Sequence, residues 1–140
     1  MNNLFIISIL IGLCIGLSNA FHMLGQSKVV LSNQLEHNKL LKVHCRSGDD
    51  DLGEQIVKLG EEYEFTFGDN IWGTTRFSCQ MDQGPNFRHH QDFVAYETSW
   101  SKALEATCQW IAREDGIYFS QDGNPPTKKY EWNGPHILKN

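Results

Sequence analysis

The chain has 140 residues, a formal net charge of −5 and 40% hydrophobic residues. That length suffices for one domain with its own apolar core, without a structural metal. The mildly acidic balance excludes a basic nucleic-acid surface and electrostatic adhesion to anionic lipid.

In chain order, the first feature is an uncharged apolar run at residues 4–17, LFIISILIGLCIGL, followed by Ser18, Asn19 and Ala20. The run is shorter than the roughly 20 residues of a membrane helix, and small residues stand where a signal peptidase cleaves. Residues 1–20 are therefore read as a secretory signal peptide. Met1-Asn2-Asn3 carries no Lys or Arg, and a retained signal anchor is the alternative. The expected mature domain is 21–140, extracellular and in a compartment that permits disulfides. Cys14 leaves with the leader, and Cys45, Cys79 and Cys108 remain. Three cysteines predict one intramolecular bond and one leftover thiol, either buried or pairing between chains. A monomer is the expected state, with a disulfide-linked dimer as the alternative.

Short runs rich in β-branched and aromatic residues then recur between turn residues. Strands are predicted at 28–31 and 40–45. Another is predicted at 63–67, where alternation puts Tyr63, Phe65 and Phe67 on one face. Gly68-Asp69-Asn70 reads as a turn. Thr75, Phe77 and Cys79 share a side of the next strand, and 93–96 is a further candidate. Cys108, Trp110 and Ala112 share a face of a strand over 108–112. Asp115-Gly116 predicts a hairpin turn into a strand at 116–119, and 129–132 a last strand after Pro125-Pro126. Residues 100–107 (WSKALEAT) are the exception and predict one or two helical turns; 134–140 read as loose. Many short strands with regular turns indicate an all-β fold, an antiparallel sandwich or barrel.

Each candidate for chemistry has a plainer reading beside it. His44-Cys45 resembles a base next to a nucleophile, but adjacent strand residues point to opposite faces. Cys45 facing the core and His44 facing water is preferred. His89-His90 with His44 and Asp92 lacks a recognisable metal-ligand spacing, so solvated histidines are expected and no metal or cofactor is assigned. Asp49-Asp50-Asp51-Leu52-Gly53 does not match a calcium loop. Aspartates starting a turn, with Gly53 at positive φ, is the preferred reading. Trp110 is assigned to the core. Trp72, in the turn at 70–73, is a contact candidate or a half-buried plug. No paired carboxylates, phosphate-cradling glycine loop or nucleophile elbow supports catalysis, and no enzymatic activity is expected.

Several stretches in order carry a resemblance: VVLSNQL at 29–35, LKVHCRS at 41–47, DDDLG at 49–53, GEEYEFTF at 60–67, TTRFSC at 74–79 and CQWIAREDGIY at 108–118. Together they resemble the plant self-incompatibility protein S1 family, the S-protein homologues. The resemblance implies a small secreted β-sandwich of two antiparallel sheets, stapled by disulfides. Cys45, Cys79 and Cys108 match the first, second and fourth of the family's four cysteines, and 102–107 holds no counterpart of the third. One family disulfide is thus missing, and a Cys45–Cys108 bond is expected, with Cys79 free or an alternative partner. Residues 81–85 also depart from the family, which places a Trp soon after the second cysteine. Some members are pistil ligands that bind a pollen membrane receptor and trigger rejection of self pollen. The implied function is secreted recognition or signalling, with self-incompatibility as one instance. The expected partner is an extracellular or membrane receptor protein. Contact candidates are Asp49, Asp50, Asp51, Asn70, Trp72, His89 and His90, within loops 47–52, 68–73 and 81–90. The alternatives are a secreted hydrolase or nuclease using His44, His89 or His90, and a defence protein binding glycans or small molecules through Trp72.

Overall fold

The computed structural model describes residues 26–68, 74–101 and 105–135. Residues 1–25, which include the expected signal peptide, the turn holding Asn70 and Trp72, and residues 136–140 lie outside the described residues.

Nine strands follow in order: β1 Gln26–Asn33, β2 Leu41–Arg46, β3 Asp51–Val57, β4 Glu62–Gly68, β5 Arg76–Gln83, β6 His89–Glu97, β7 Thr107–Arg113, β8 Gly116–Gln121 and β9 Thr127–Tyr130. They build two sheets, β4-β1-β7-β8-β9 and β3-β2-β5-β6. The neighbours pair antiparallel, except that β1 runs parallel to β7. The fold is the expected two-sheet sandwich.

Period-two alternation decides which side chains fill the space between the sheets. Val29, Leu31, Cys108, Trp110, Ala112 and Ile117 come from the five-stranded sheet. Leu41, Val43, Cys45, Phe77, Cys79, Met81 and Phe93 meet them from the other. Trp110 packs at 4.4 Å from Phe93 and 4.5 Å from Phe119, centroid to centroid. Tyr63, Phe65 and Phe67 pack against the core's margin, as their spacing requires.

Buried Asn33 connects the layers. Its Nδ2 donates to the carbonyls of Lys39 and Val57, each at 2.9 Å, while its Oδ1 accepts from the Leu35 N–H. One side chain thereby satisfies three backbone groups that a bend out of β1 would otherwise leave unpaired.

The expected Cys45–Cys108 pairing is corrected. Cys45 bonds Cys79, and Cys108 is the free, buried thiol. Cys45 and Cys79 face each other across the β2–β5 ladder with Cα atoms 4.1 Å apart. Cys108 stands on β7 in the opposite sheet, outside the β2–β5 ladder that sets Cys45 directly against Cys79. Its complete burial also removes the disulfide-linked dimer, because no second chain can reach the sulfur.

Other expectations shift locally. No helix forms at 100–107 among the described residues: Trp100 closes a 3-10 turn that starts at Thr98, and Thr107 already opens β7. Asp51 is not confined to a turn but starts β3, a strand absent from the sequence reading. Gly53 does take the positive φ expected of it, at 75°. Gly134, expected in a loose tail, is fastened: Gln91 Nε2 donates to the carbonyls of Glu131 and Gly134.

Candidate functional site

The outward face of the four-stranded sheet carries an organised polar surface. Because Val43, Cys45, Cys79, Met81 and Phe93 point inward, their strand neighbours must point out. Register then forms rows across the strands. Lys42, Asp82 and His90 make one, and His44, Gln80 and Asp92 the next; Arg46, Ser78 and Val94 make a third.

His90 is the best-held member. Its Nδ1 bonds Asp82, and its Nε2 lies 3.1 Å from Asp92 Oδ2. Burial opposes protonation of this ring, but the two carboxylates outweigh it and its pKa is raised above the ordinary histidine value. Gln80 Nε2 also donates to Asp82 at 3.2 Å. One row along, His44 Nε2 meets Asp51 Oδ1 at 2.5 Å, and the Gly53 N–H donates to the same oxygen at 2.8 Å. The histidine bond first, and then the backbone bond, hold the Asp51 carboxyl below the usual carboxylate range.

Between these pairs lies an open hollow of about 220 Å³, lined by His44, Arg46, Arg76, Ser78, Gln80 and Asp92 among others. Arg76 bridges Glu97 at 3.4 Å. The hollow presents guanidinium, carboxylate, imidazole and amide groups to solvent on a rigid sheet. Such a surface suits charge-matched, hydrogen-bonded recognition.

The contact candidates do not form one patch. Asp49 and Asp50 are exposed in the β2–β3 turn, where Ser47 Oγ accepts the Asp50 N–H and the Ser47 N–H returns to the Asp50 carbonyl. Asp51 and His90 join the sheet face. His89 turns aside onto Asn133, whose Nδ2 lies 2.8 Å from His89 Nδ1. Among the described residues no group of three or more His, Cys, Asp or Glu side chains is placed to hold a metal ion. The sequence reading missed Asp82, Gln80, Arg46 and Arg76 as members of this face. The alternation beside Cys45 and Cys79 was a usable signal for all four.

The sheets and the cross-strand disulfide define the class: a small disulfide-stapled all-β sandwich. The family model for plant self-incompatibility protein S1 matches residues 28–132. S-protein homolog 21 of Arabidopsis thaliana is 36% identical over 135 residues, which span 94% of this chain and 99% of that protein. S-protein homolog 9 of the same plant is 40% identical over 134 residues, with 94% and 99% covered. A solved structure of SPH (Self-Incompatibility Protein Homologue) proteins, described as a widespread family of small, highly stable, secreted proteins from plants, is 28% identical. It superposes with a TM-score of 0.65 over 79% of this chain and 97% of that one. This chain belongs to the plant self-incompatibility protein S1 family, and it is a secreted plant protein. Among the described residues no helix is long and apolar enough to cross a membrane.

Proposed function

We propose that this protein is an extracellular recognition ligand, without enzymatic activity, that engages a membrane receptor or another extracellular protein. The contact surface is the outer face of the four-stranded sheet together with the acidic turn at 49–50. The observation that carries this reading is His90 held between Asp82 and Asp92. With both ring nitrogens engaged by carboxylates, His90 has no free lone pair to act as a general base. The arrangement is suited to presenting fixed charge. Rejection of self pollen is the biological setting the family suggests.

The test is saturable binding of the secreted protein to membranes from reproductive tissue. Joint replacement of Arg46, Arg76 and Asp92 by alanine weakens binding tenfold or more if about 1–2 kcal/mol resides in each buried contact. Binding unchanged in that variant and in swaps of loops 47–52, 68–73 and 81–90 removes the surface from the proposal. Turnover of an ester, glycoside or RNA substrate that disappears in His44→Ala or His89→Ala removes the ligand reading itself. Pistil-restricted expression supports the self-incompatibility role, whereas root or seed expression counts against it.

A further inference from the structure

The sandwich has four edge strands, β4 and β9 in one sheet and β3 and β6 in the other. An uncovered edge is a template for another strand unless the fold blocks it. Three of the four have a local answer. The chain's last described segment covers β6: Asn133 N–H donates to the His90 carbonyl at 2.8 Å, and the His90 N–H donates to Asn133 Oδ1 at 2.9 Å. On β4 the exposed charges are Glu62 and Glu64, both acidic, so self-pairing sets like charges together. Both are already engaged, Glu62 by Ser32 Oγ and Glu64 by Lys28. On β9 they are Lys128 and Lys129, both basic, and Lys128 is held by Glu131 at 2.8 Å.

β3 is different. Val57 points into the core, so Glu54 and Ile56 share the outer side of β3, and Lys58 follows directly beyond the strand's end; all three are exposed. This acid–apolar–base pattern is its own complement when reversed about its centre. Neither Glu54 nor Lys58 has an ion pair among the described residues. Apolar exposure is concentrated at the same corner. The large hydrophobic side chains exposed among the described residues are Leu40, Ile56 and Leu59, at 44%, 50% and 41%. The Leu41–Val57 register sets Leu40, just before β2, near Lys58, just after β3.

We propose that β3 is the docking edge for a second copy of this chain. The second β3 adds antiparallel, with Ile56 opposite its symmetry mate and Glu54 opposite Lys58 of the second copy, twice over. The contact is isologous and closes on itself. It joins two four-stranded sheets into one of eight. The two-fold axis stands perpendicular to the sheet, so both outer faces point the same way. The dimer is non-covalent and departs from the expected monomer.

Sedimentation equilibrium of the secreted protein from micromolar to millimolar concentration tests it. The expected result is a reversible monomer–dimer equilibrium. Glu54→Lys and Lys58→Glu each replace two attractive pairs by two repulsive ones and weaken the dimer about tenfold or more. The double reversal, Glu54→Lys with Lys58→Glu, restores it. Ile56→Cys yields a dimer linked through position 56 under mild oxidation. These residues are exposed, and an unchanged urea midpoint confirms that each variant folds. A monomer at every concentration overturns the proposal. So does a dimer indifferent to the single reversals, or one that the double reversal fails to rescue.

Discussion

The Trp110 indole N–H reaches across the core to the Ala95 carbonyl, 3.1 Å away in the opposite sheet. That carbonyl is available because the β5–β6 register slips between Phe77, opposite Tyr96, and Ser78, opposite Val94, leaving Ala95 without a partner residue. The bulge and the tryptophan are thus one device: a ladder irregularity frees an acceptor in the core, and the buried Trp110 indole satisfies it. Both residues are buried, Ala95 completely.

Trp110→Phe keeps most of the ring contacts with Phe93 and Phe119 but orphans the Ala95 carbonyl. The expected cost is about 1–3 kcal/mol in urea unfolding. Trp110→Ala also empties the ring's space and costs about 3–5 kcal/mol.

The Cys45–Cys79 bond closes a loop with a sequence separation of 34. In the chain-entropy model, its removal by Cys45→Ala with Cys79→Ala lowers stability by about 3–4 kcal/mol. The denaturation midpoint of the double variant, compared with that of the parent, measures this. Cys108→Ala, by contrast, leaves the disulfide intact.

Burial, with a smaller contribution from nearby Asp122, pushes the Cys108 thiol up to about 12. A thiol with so little thiolate, and no solvent access, is inert. Iodoacetamide is expected to leave the native protein unlabelled at neutral pH and to add one group per chain to Cys108 in strong denaturant. Labelling of the native protein at the denatured rate contradicts the placement of Cys108 on the inward face.

The raised His90 pKa makes stability depend on pH. The folded state holds the proton more tightly than the unfolded state, whose histidine titrates near pH 6.5. The contribution is complete below about pH 6.5 and is lost as pH rises through the folded value. Because this side chain is part-exposed, solvent screening reduces the effect. His90→Gln is therefore expected to lose more stability at pH 6 than at pH 8.5. An NMR titration of the His90 ring reads the midpoint directly and places it above that of a free histidine.

Gly116 has φ 149°, and a Cβ there falls 2.4 Å from the Tyr130 carbonyl oxygen and 2.7 Å from Lys128 Cε. The backbone oxygen cannot move aside without disturbing the β8–β9 pairing. Gly116→Ala is expected to cost more than about 2 kcal/mol by thermal or urea unfolding. Gly123→Ala, with open space around its Cβ position, serves as the milder comparison: it carries only the strain of φ 79°.

Alternation within single strands was legible from local pattern alone. Tyr63, Phe65 and Phe67 line one face, Cys108 and Trp110 another, and the hairpin expected at Asp115-Gly116 turns one residue earlier, at Glu114-Asp115. Such features depend on neighbours two or three positions away, a range that side-chain periodicity encodes directly. β3 escaped notice because DLGEQIV has an acidic start, a mid-strand glycine and little apolar alternation. It is an edge strand, held by its ladder to β2 rather than by its own propensity. The partner of Cys45 was likewise invisible, since three cysteines on three strands are equivalent until strand order is known. Placing β5 beside β2 and β7 in the opposite sheet chose Cys79. The polar face was assembled in the same way: Asp82, His90 and Asp92 are scattered in sequence and meet because register puts them in adjacent rows. Local chemistry sets which way each side chain points, but long-range pairing, whose closure depends on the whole chain, sets what it meets.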